Sequence, residues 1–216
     1  MPINIPILSS PVNATFNFID VAEGYGIVKL YGATHNTNGT KTYFLTTGQP
    51  YSNDIETSGG SSISNDDWNS VLTNNFDVTF NSAQYIKGNA YLNYSIGSRQ
   101  GGSGSTTVKM LVSGCVLSNN TQGSTWATVS GTFFSHGDSA GIQSQTQCIR
   151  FDLSSGYTLN AGDVLRLTFP LWCVRSGASA YLTPGYGHDP QDRDAPSSVS
   201  GAHSSKFELY LPLKIK

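Results

Sequence analysis

The sequence predicts an all-β protein, an antiparallel two-sheet jelly-roll sandwich with an extended N-terminal arm, on three observations. Only 12% of the 216 residues are charged, against about a quarter in ordinary domains, and Gly, Ser, Thr and Asn are abundant; this suits strands and turns and starves helices. Apolar and polar residues alternate at period two in run after run, and no stretch shows sustained 3.6-residue periodicity. Gly/Ser/Asn turn signals separate the runs and predict roughly eight to ten strands, as a sandwich requires. A chain of 216 residues fits one such unit.

The elements follow in chain order. Ile3, Ile5 and Ile7 alternate with Asn4 and Pro6, yet Pro2, Pro6 and Pro11 are too frequent for an interior strand. Residues 1–18 therefore read as an extended arm across a neighbouring surface, with Ile3, Ile5, Ile7 and Pro6 as the partner-binding residues, because a bare apolar arm invites aggregation. Residues 19–216 form the jelly-roll domain. Within it, "SNDDWNSVLTNN" predicts a short helical turn capped by Ser64 or Asn65, with Asp66 and Asp67 in its first turn and Trp68, Val71 and Leu72 facing inward. "FDVTF" then places Phe76, Val78 and Phe80 on one face, and "AYLNYSI" does the same for Ala90, Leu92, Tyr94 and Ile96. "VKMLV" aligns Val108, Met110 and Val112. "CIRFDL" aligns Ile149, Phe151 and Leu153 against Arg150 and Asp152. The last two runs are the longest: "VLRLTFPLWCV" lines up Leu165, Leu167, Phe169, Leu171 and Cys173, and "KFELYLPLKI" lines up Phe207, Leu209, Leu211, Leu213 and Ile215. Pro170 and Pro212 cannot donate to a ladder, so these two strands should be edges or be bulged there. "TSGGSSISN", "GSRQGGSGS" and "SHGDSAGIQSQ" read as surface loops.

Bulk properties exclude several functions. A formal net charge of -2 without a Lys/Arg run leaves nothing to track phosphates, so no nucleic acid is expected. No apolar span reaches 18 residues, so no membrane is expected either, and "MPINIPILSSPVNATF" lacks the basic and apolar regions of a secretion signal. Cys115, Cys148 and Cys173 are odd in number and widely spaced, which speaks against a disulfide framework and against zinc; they read as three buried small hydrophobes.

Four stretches invite chemical readings. "HGDSAG" resembles the G-D-S-G-G nucleophile segment of chymotrypsin-like proteases, which would make Ser139 the nucleophile. But Ala140 replaces the final glycine, His35 sits in the turn-like "GATHNTNG", and the aspartate has no counterpart; a Gly/Ser loop is the simpler reading. Glu23, Glu56 and Glu208 form no obvious pair for glycoside hydrolysis. In "GYGHDPQDRDAP", residues 185–196, Asp189, Asp192 and Asp194 are the calcium candidate, although the spacing is not that of an EF-hand. The alternative is a structured loop in which Arg193 neutralises Asp189 or Asp194. His188 and His203 flank that loop without the third ligand that zinc needs. No catalytic residue, cofactor or metal is assigned, and the chain is expected not to be an enzyme.

Five segments, "YSNDIETSG" (51–59), "TFNSAQYIKGNAYLNYSIG" (79–97), "LNAGDVLRLTF" (159–169), "GHDPQDRD" (187–194) and "KFELYLPLKI" (206–215), together resemble virion-associated proteins of tailed bacteriophages that carry a tumour-necrosis-factor-like jelly roll. The Gly/Ser loop at 98–106 and the proline-rich arm have no counterpart there. The resemblance implies a capsid decoration, cement or head-fibre protein: a homotrimer on the major capsid protein, made in the host cytoplasm and located on the virion. A carbohydrate- or receptor-binding fibre head, with a host glycan as ligand, is the alternative.

Overall fold

The computed structural model describes residues 14–15, 25–58, 67–101, 107–136, 141–176, 181–194 and 205–214. Ile3, Ile5, Ile7 and Pro6 of the expected arm lie outside the described residues, as do Ser139 and His203. The alternation in the sequence becomes fourteen strands among the described residues. They are β1 (Ala14–Thr15), β2 (Tyr25–Thr37), β3 (Thr40–Thr46), β4 (Glu56–Ser58), β5 (Asn69–Thr79), β6 (Gln84–Gly101) and β7 (Thr107–Val112). The remainder are β8 (Cys115–Asn119), β9 (Ser124–Val129), β10 (Phe134–His136), β11 (Gly141–Leu159), β12 (Val164–Ser176), β13 (Tyr181–Gly187) and β14 (Phe207–Lys214). No helix occurs among the described residues.

The strands hydrogen-bond into one connected sheet. It is mixed, because Phe44 of β3 meets Asp77 of β5 in a parallel contact while the other described pairings are antiparallel. That contact joins two blocks. In one, β3, β2, β14, β6 and β11 lie side by side, with β13 taking over from β14 along the far part of β6 and β4 beside it. In the other, β12 is central, with β5 on one edge and β8, then β7, on the opposite edge. Phe76 of β5 stacks on Phe207 of β14 at 4.4 Å between centroids, and Phe169 of β12 meets Tyr94 of β6 at 5.1 Å, so the inward faces of the two blocks pack together. The chain is thus all-β, as expected, but built on one large mixed sheet bent over itself instead of two separate antiparallel sheets.

The core follows the alternation. Phe76, Ala90, Leu92, Tyr94, Ile96, Phe151, Leu153, Leu165, Leu167, Phe169, Leu171, Phe207, Leu209 and Leu211 are fully buried. Aromatic pairs of this kind add about 0.5–1.5 kcal/mol each beyond their buried area. Both prolines sit at interruptions. Pro170 falls where the partner of β12 changes from β8, whose pairing reaches Thr168, to β7, whose pairing starts at Leu171. Pro212 lies in the register shift of β14 against β6 between Tyr210 and Leu213. Each missing N–H is therefore absorbed where a ladder bond is already lost, inside the sheet and not at its edge.

Three expectations are corrected. Trp68, Val71 and Leu72 belong to no helical turn: residues 69–79 are strand β5, and Trp68 is 39% exposed. The expected caps Ser64 and Asn65, with Asp66, lie outside the described residues; from Asn69 onward, pairing with β12 along ten residue pairs sets the conformation. All three expected loops are partly strand, since β4 includes Thr57 and Ser58, β6 runs on to Gly101 and β11 begins at Gly141. Of the three cysteines, which are free thiols, Cys115 and Cys173 are buried but Cys148 is exposed. Ile149 and Phe151 point inward, so their alternation turns Cys148 out beside Arg150.

Candidate functional site

The charged loop after β13 is a latch. His188 N–H donates to Ile55 O (2.9 Å) and Asp189 N–H to Ser205 O (3.0 Å), which ties the loop to the segment before β4 and to the entry of β14. The His188 ring is wholly buried. Its Nδ1 lies 3.0 Å from Thr34 Oγ1 and its Nε2 2.7 Å from Thr57 Oγ1, and the Thr57 hydroxyl also meets Tyr43 Oη at 3.1 Å. A hydroxyl can donate to one ring nitrogen and accept from the other, so the neutral imidazole is satisfied. Burial pushes the His188 pKa down to about 4, opposed by the charge of Asp54.

Asp189, whose side chain is 0% exposed, does not face solvent for an ion. Its Oδ2 accepts from Arg193 N–H (2.8 Å) and Nε (2.7 Å), and its Oδ1 accepts from Gln191 N–H (3.2 Å) and Arg193 Nη2 (3.1 Å). Arg193 Nη2 also donates to Ser52 O (2.6 Å), and the guanidinium lies 4.3 Å from the centre of the Tyr51 ring. Hydrogen bonding to Asp189 raises the Arg193 pKa further. Asp192 faces Lys206 at 3.5 Å, and Asp194 is exposed. The three aspartates of the calcium candidate are thus directed to different places. Among the described residues, no cluster of three or more His, Cys, Asp or Glu side chains is placed to hold a metal ion.

The other chemical candidates scatter as well. His35 is exposed, and buried His136 meets Ser98 Oγ through Nδ1. Glu56 lies in β4, Glu23 is outside the described residues, and Glu208 is ion-paired to Lys29 at 2.6 Å.

That last pair opens onto a surface the sequence did not single out. On the outer side of β2, β14, β6 and β11, cross-strand register lines up Lys29, Tyr210, Tyr91 and Arg150 in one row. The adjacent row is Tyr31, Glu208, Asn93 and Cys148. Lys29 Nζ lies 4.6 Å from the Tyr31 ring centre and 5.4 Å from that of Tyr210. Tyr210 Oη donates to Glu208 Oε2 at 2.9 Å. Partial burial alone would lower the Lys29 pKa, but hydrogen bonding to Glu208 and the two tyrosines raises it. The result is an aromatic, polar face on which Lys29 and Glu208 are paired, Glu208 is 7% exposed, and Arg150 stands exposed at the end of its row. Its four strands come from positions as distant as Lys29 and Tyr210, so only their register could reveal it.

Comparison with known proteins adds little to this geometry. No protein-family profile matches the chain, and no curated protein matches it. Among solved structures, a CocE/NonD family hydrolase from Staphylococcus aureus aligns with a TM-score of 0.40 and 9% identity over 85% of this chain and 36% of the hydrolase chain. A second structure of that hydrolase gives 0.39 and 9%, over 86% and 36%. Infectious bursal disease virus, Gt strain, aligns at 0.28 and 10%, over 95% of this chain and 46% of the viral one. The chain thus spans about a third of the hydrolase chains it matches. The expectation that the chain is not an enzyme is corrected here, since the structures found similar to it include hydrolases; no residue role passes across at this level of likeness. No helix among the described residues is long and apolar enough to cross a membrane.

Proposed function

We propose that the chain is a virion structural protein of a tailed bacteriophage. In this reading its bent sheet is a jelly roll, three copies assemble as a trimer, and the trimer decorates and stabilises the head by binding the major capsid protein. The observation that carries the reading is the outer face of β2, β14, β6 and β11. Tyr31, Tyr91 and Tyr210 supply wide contact area at small entropic cost, and Lys29 and Glu208 arrive already paired, so covering them strands no ion. Permanent contacts need both properties. The low charge of the whole chain, 12% of residues, works in the same direction.

The test uses the full chain and empty heads of the virus that encodes it. Light scattering should give the mass of three chains, and the chain should co-sediment with the heads. Tyr91→Asp with Tyr210→Asp, which removes two aromatic rings and adds two carboxylates to the face, should abolish co-sedimentation while leaving the circular dichroism spectrum unchanged. A monomer, or heads that bind the double variant as well as the parent, sinks the reading.

A further inference from the structure

A second surface feature lies on the other block. A groove of about 260 Å³ is lined by Trp68, Leu111, Ser113, Phe133 and Trp172. Trp172 of β12 pairs with Leu111 of β7, and both point outward because Val112, Leu171 and Cys173 on either side are buried. Trp68 and Phe133 are 39% and 60% exposed, with ring centroids 5.6 Å apart. No lining residue ionises. Large aromatic rings left together in water mark a contact surface. A stable interface between two folded faces needs about 800 Å² from each partner, far more than these five side chains offer, so the groove suits a narrow occupant.

We infer that the groove receives the apolar N-terminal arm of a neighbouring copy, with Pro2, Ile3, Ile5, Pro6 and Ile7 laid against Trp68, Phe133 and Trp172; this rests on the oligomeric reading above. Three arguments converge on that occupant. The first 19 residues contain no Asp, Glu, Lys or Arg, which matches a groove without ionisable walls. Pro2, Pro6 and Pro11 lack N–H groups, so the arm is a poor partner for a strand edge, but extended proline-bearing segments fit aromatic grooves and lose little entropy on ordering.

Reach supplies the third argument. The arm leaves the described structure at Ala14, which pairs with Val28. From there to Trp68 the path runs five residues along β2 to Ala33, crosses through Phe44 to Asp77, and continues nine residues along β5. That path measures about 46 Å along the strands at roughly 3.3 Å per residue, before the sideways steps. Because Pro2 to Ile7 must lie in the groove, only the seven steps from Ile7 to Ala14 can bridge that path, at most about 25 Å at roughly 3.6 Å each. An arm too short for its own groove serves a neighbour's.

The test is a synthetic peptide of residues 1–13 titrated into the full-length chain, where it competes with the tethered arm, followed by tryptophan fluorescence. Saturable binding is expected. It should weaken by at least about tenfold in Trp68→Ser or Phe133→Ser, exposed positions whose loss leaves the melting curve intact, and with a peptide carrying Ser at positions 3, 5 and 7. In the full-length chain, Phe133→Ser should lower the oligomer mass measured by light scattering. Absence of peptide binding, equal binding by the groove variants, an unchanged oligomer mass, or a groove that responds to oligosaccharides and not to the peptide would each overturn the inference. None of these measurements involves heads, so failure on heads with the peptide result intact sinks the decoration reading alone, and the converse sinks this inference alone.

Discussion

Arg193 grips Asp189 through its side chain while its own backbone N–H caps the same carboxylate, so the buried group draws three of its hydrogen bonds from one residue four positions along the chain and one from Gln191 N–H. Arg193→Met would leave that carboxylate paired only to backbone N–H groups. Loss of one partner of a buried pair costs about 3 kcal/mol, to be read as a lower urea midpoint; a midpoint within error of the parent would show the latch to be ornamental. His188 gives a pH-dependent prediction. Its pKa in the folded chain is pushed down to about 4, below the unfolded value of about 6.5, so between those limits the unfolded chain binds more protons. The stability from neutral His188 is complete above roughly pH 6.5 and is lost as pH falls to about 4, on the order of 3 kcal/mol. His188→Asn lacks this component, so the stability gap between parent and variant should narrow between pH 7 and pH 4; parallel curves would refute it. The sequence showed that Arg193 could neutralise an aspartate, but not that Asp189 is buried or that His188 sits between two threonines. Thr34 and Thr57 come from distant strands.

At the scale of elements, close packing between strands gives the sharpest test. A methyl group on Gly32 in β2 would run into the ring of Phe207, and one on Gly187 at the end of β13 would meet the backbone of Ser205. Overpacking costs about 1–3 kcal/mol. Gly32→Ala should fall inside that range because a ring can shift, and Gly187→Ala should cost more because a backbone cannot; thermal melts that reverse the order would contradict this account. Strand faces were legible in advance wherever alternation was strong, as from Leu165 to Cys173 and from Phe207 to Leu213, all buried at alternate positions. Residues 69–75 misled because Ser and Asn cap helices and also decorate strands, and only β12 alongside decides between the two. The prolines were read as edge or bulge: Pro212 falls in a register shift of β14 against β6, in line with the bulge alternative, and Pro170 in the gap between two partners of β12.

For the whole molecule, the chain ends meet late. β14 lies between β2 and β6, pairing Tyr210 with Lys29 on one side and with Tyr91 on the other. It also supplies Phe207, which packs on Phe76, Phe169 and Tyr186. Ending the chain before Ser205 should therefore abolish cooperative unfolding instead of trimming an edge, checked by the loss of a two-state thermal transition; a truncated chain that still melts cooperatively would refute the central placement of β14. Pairings this distant in sequence also make for slow folding. By itself the sequence determined the all-β class, the inward residues of each strong strand and the poverty of charge, because period-two alternation and composition act locally along the chain. Only the tertiary structure decided that one mixed sheet bends over itself, that Asp189 is a buried latch, and that three tyrosines, a lysine and a glutamate share a face. Those outcomes depend on register between strands up to about 190 residues apart, and no local pattern encodes register.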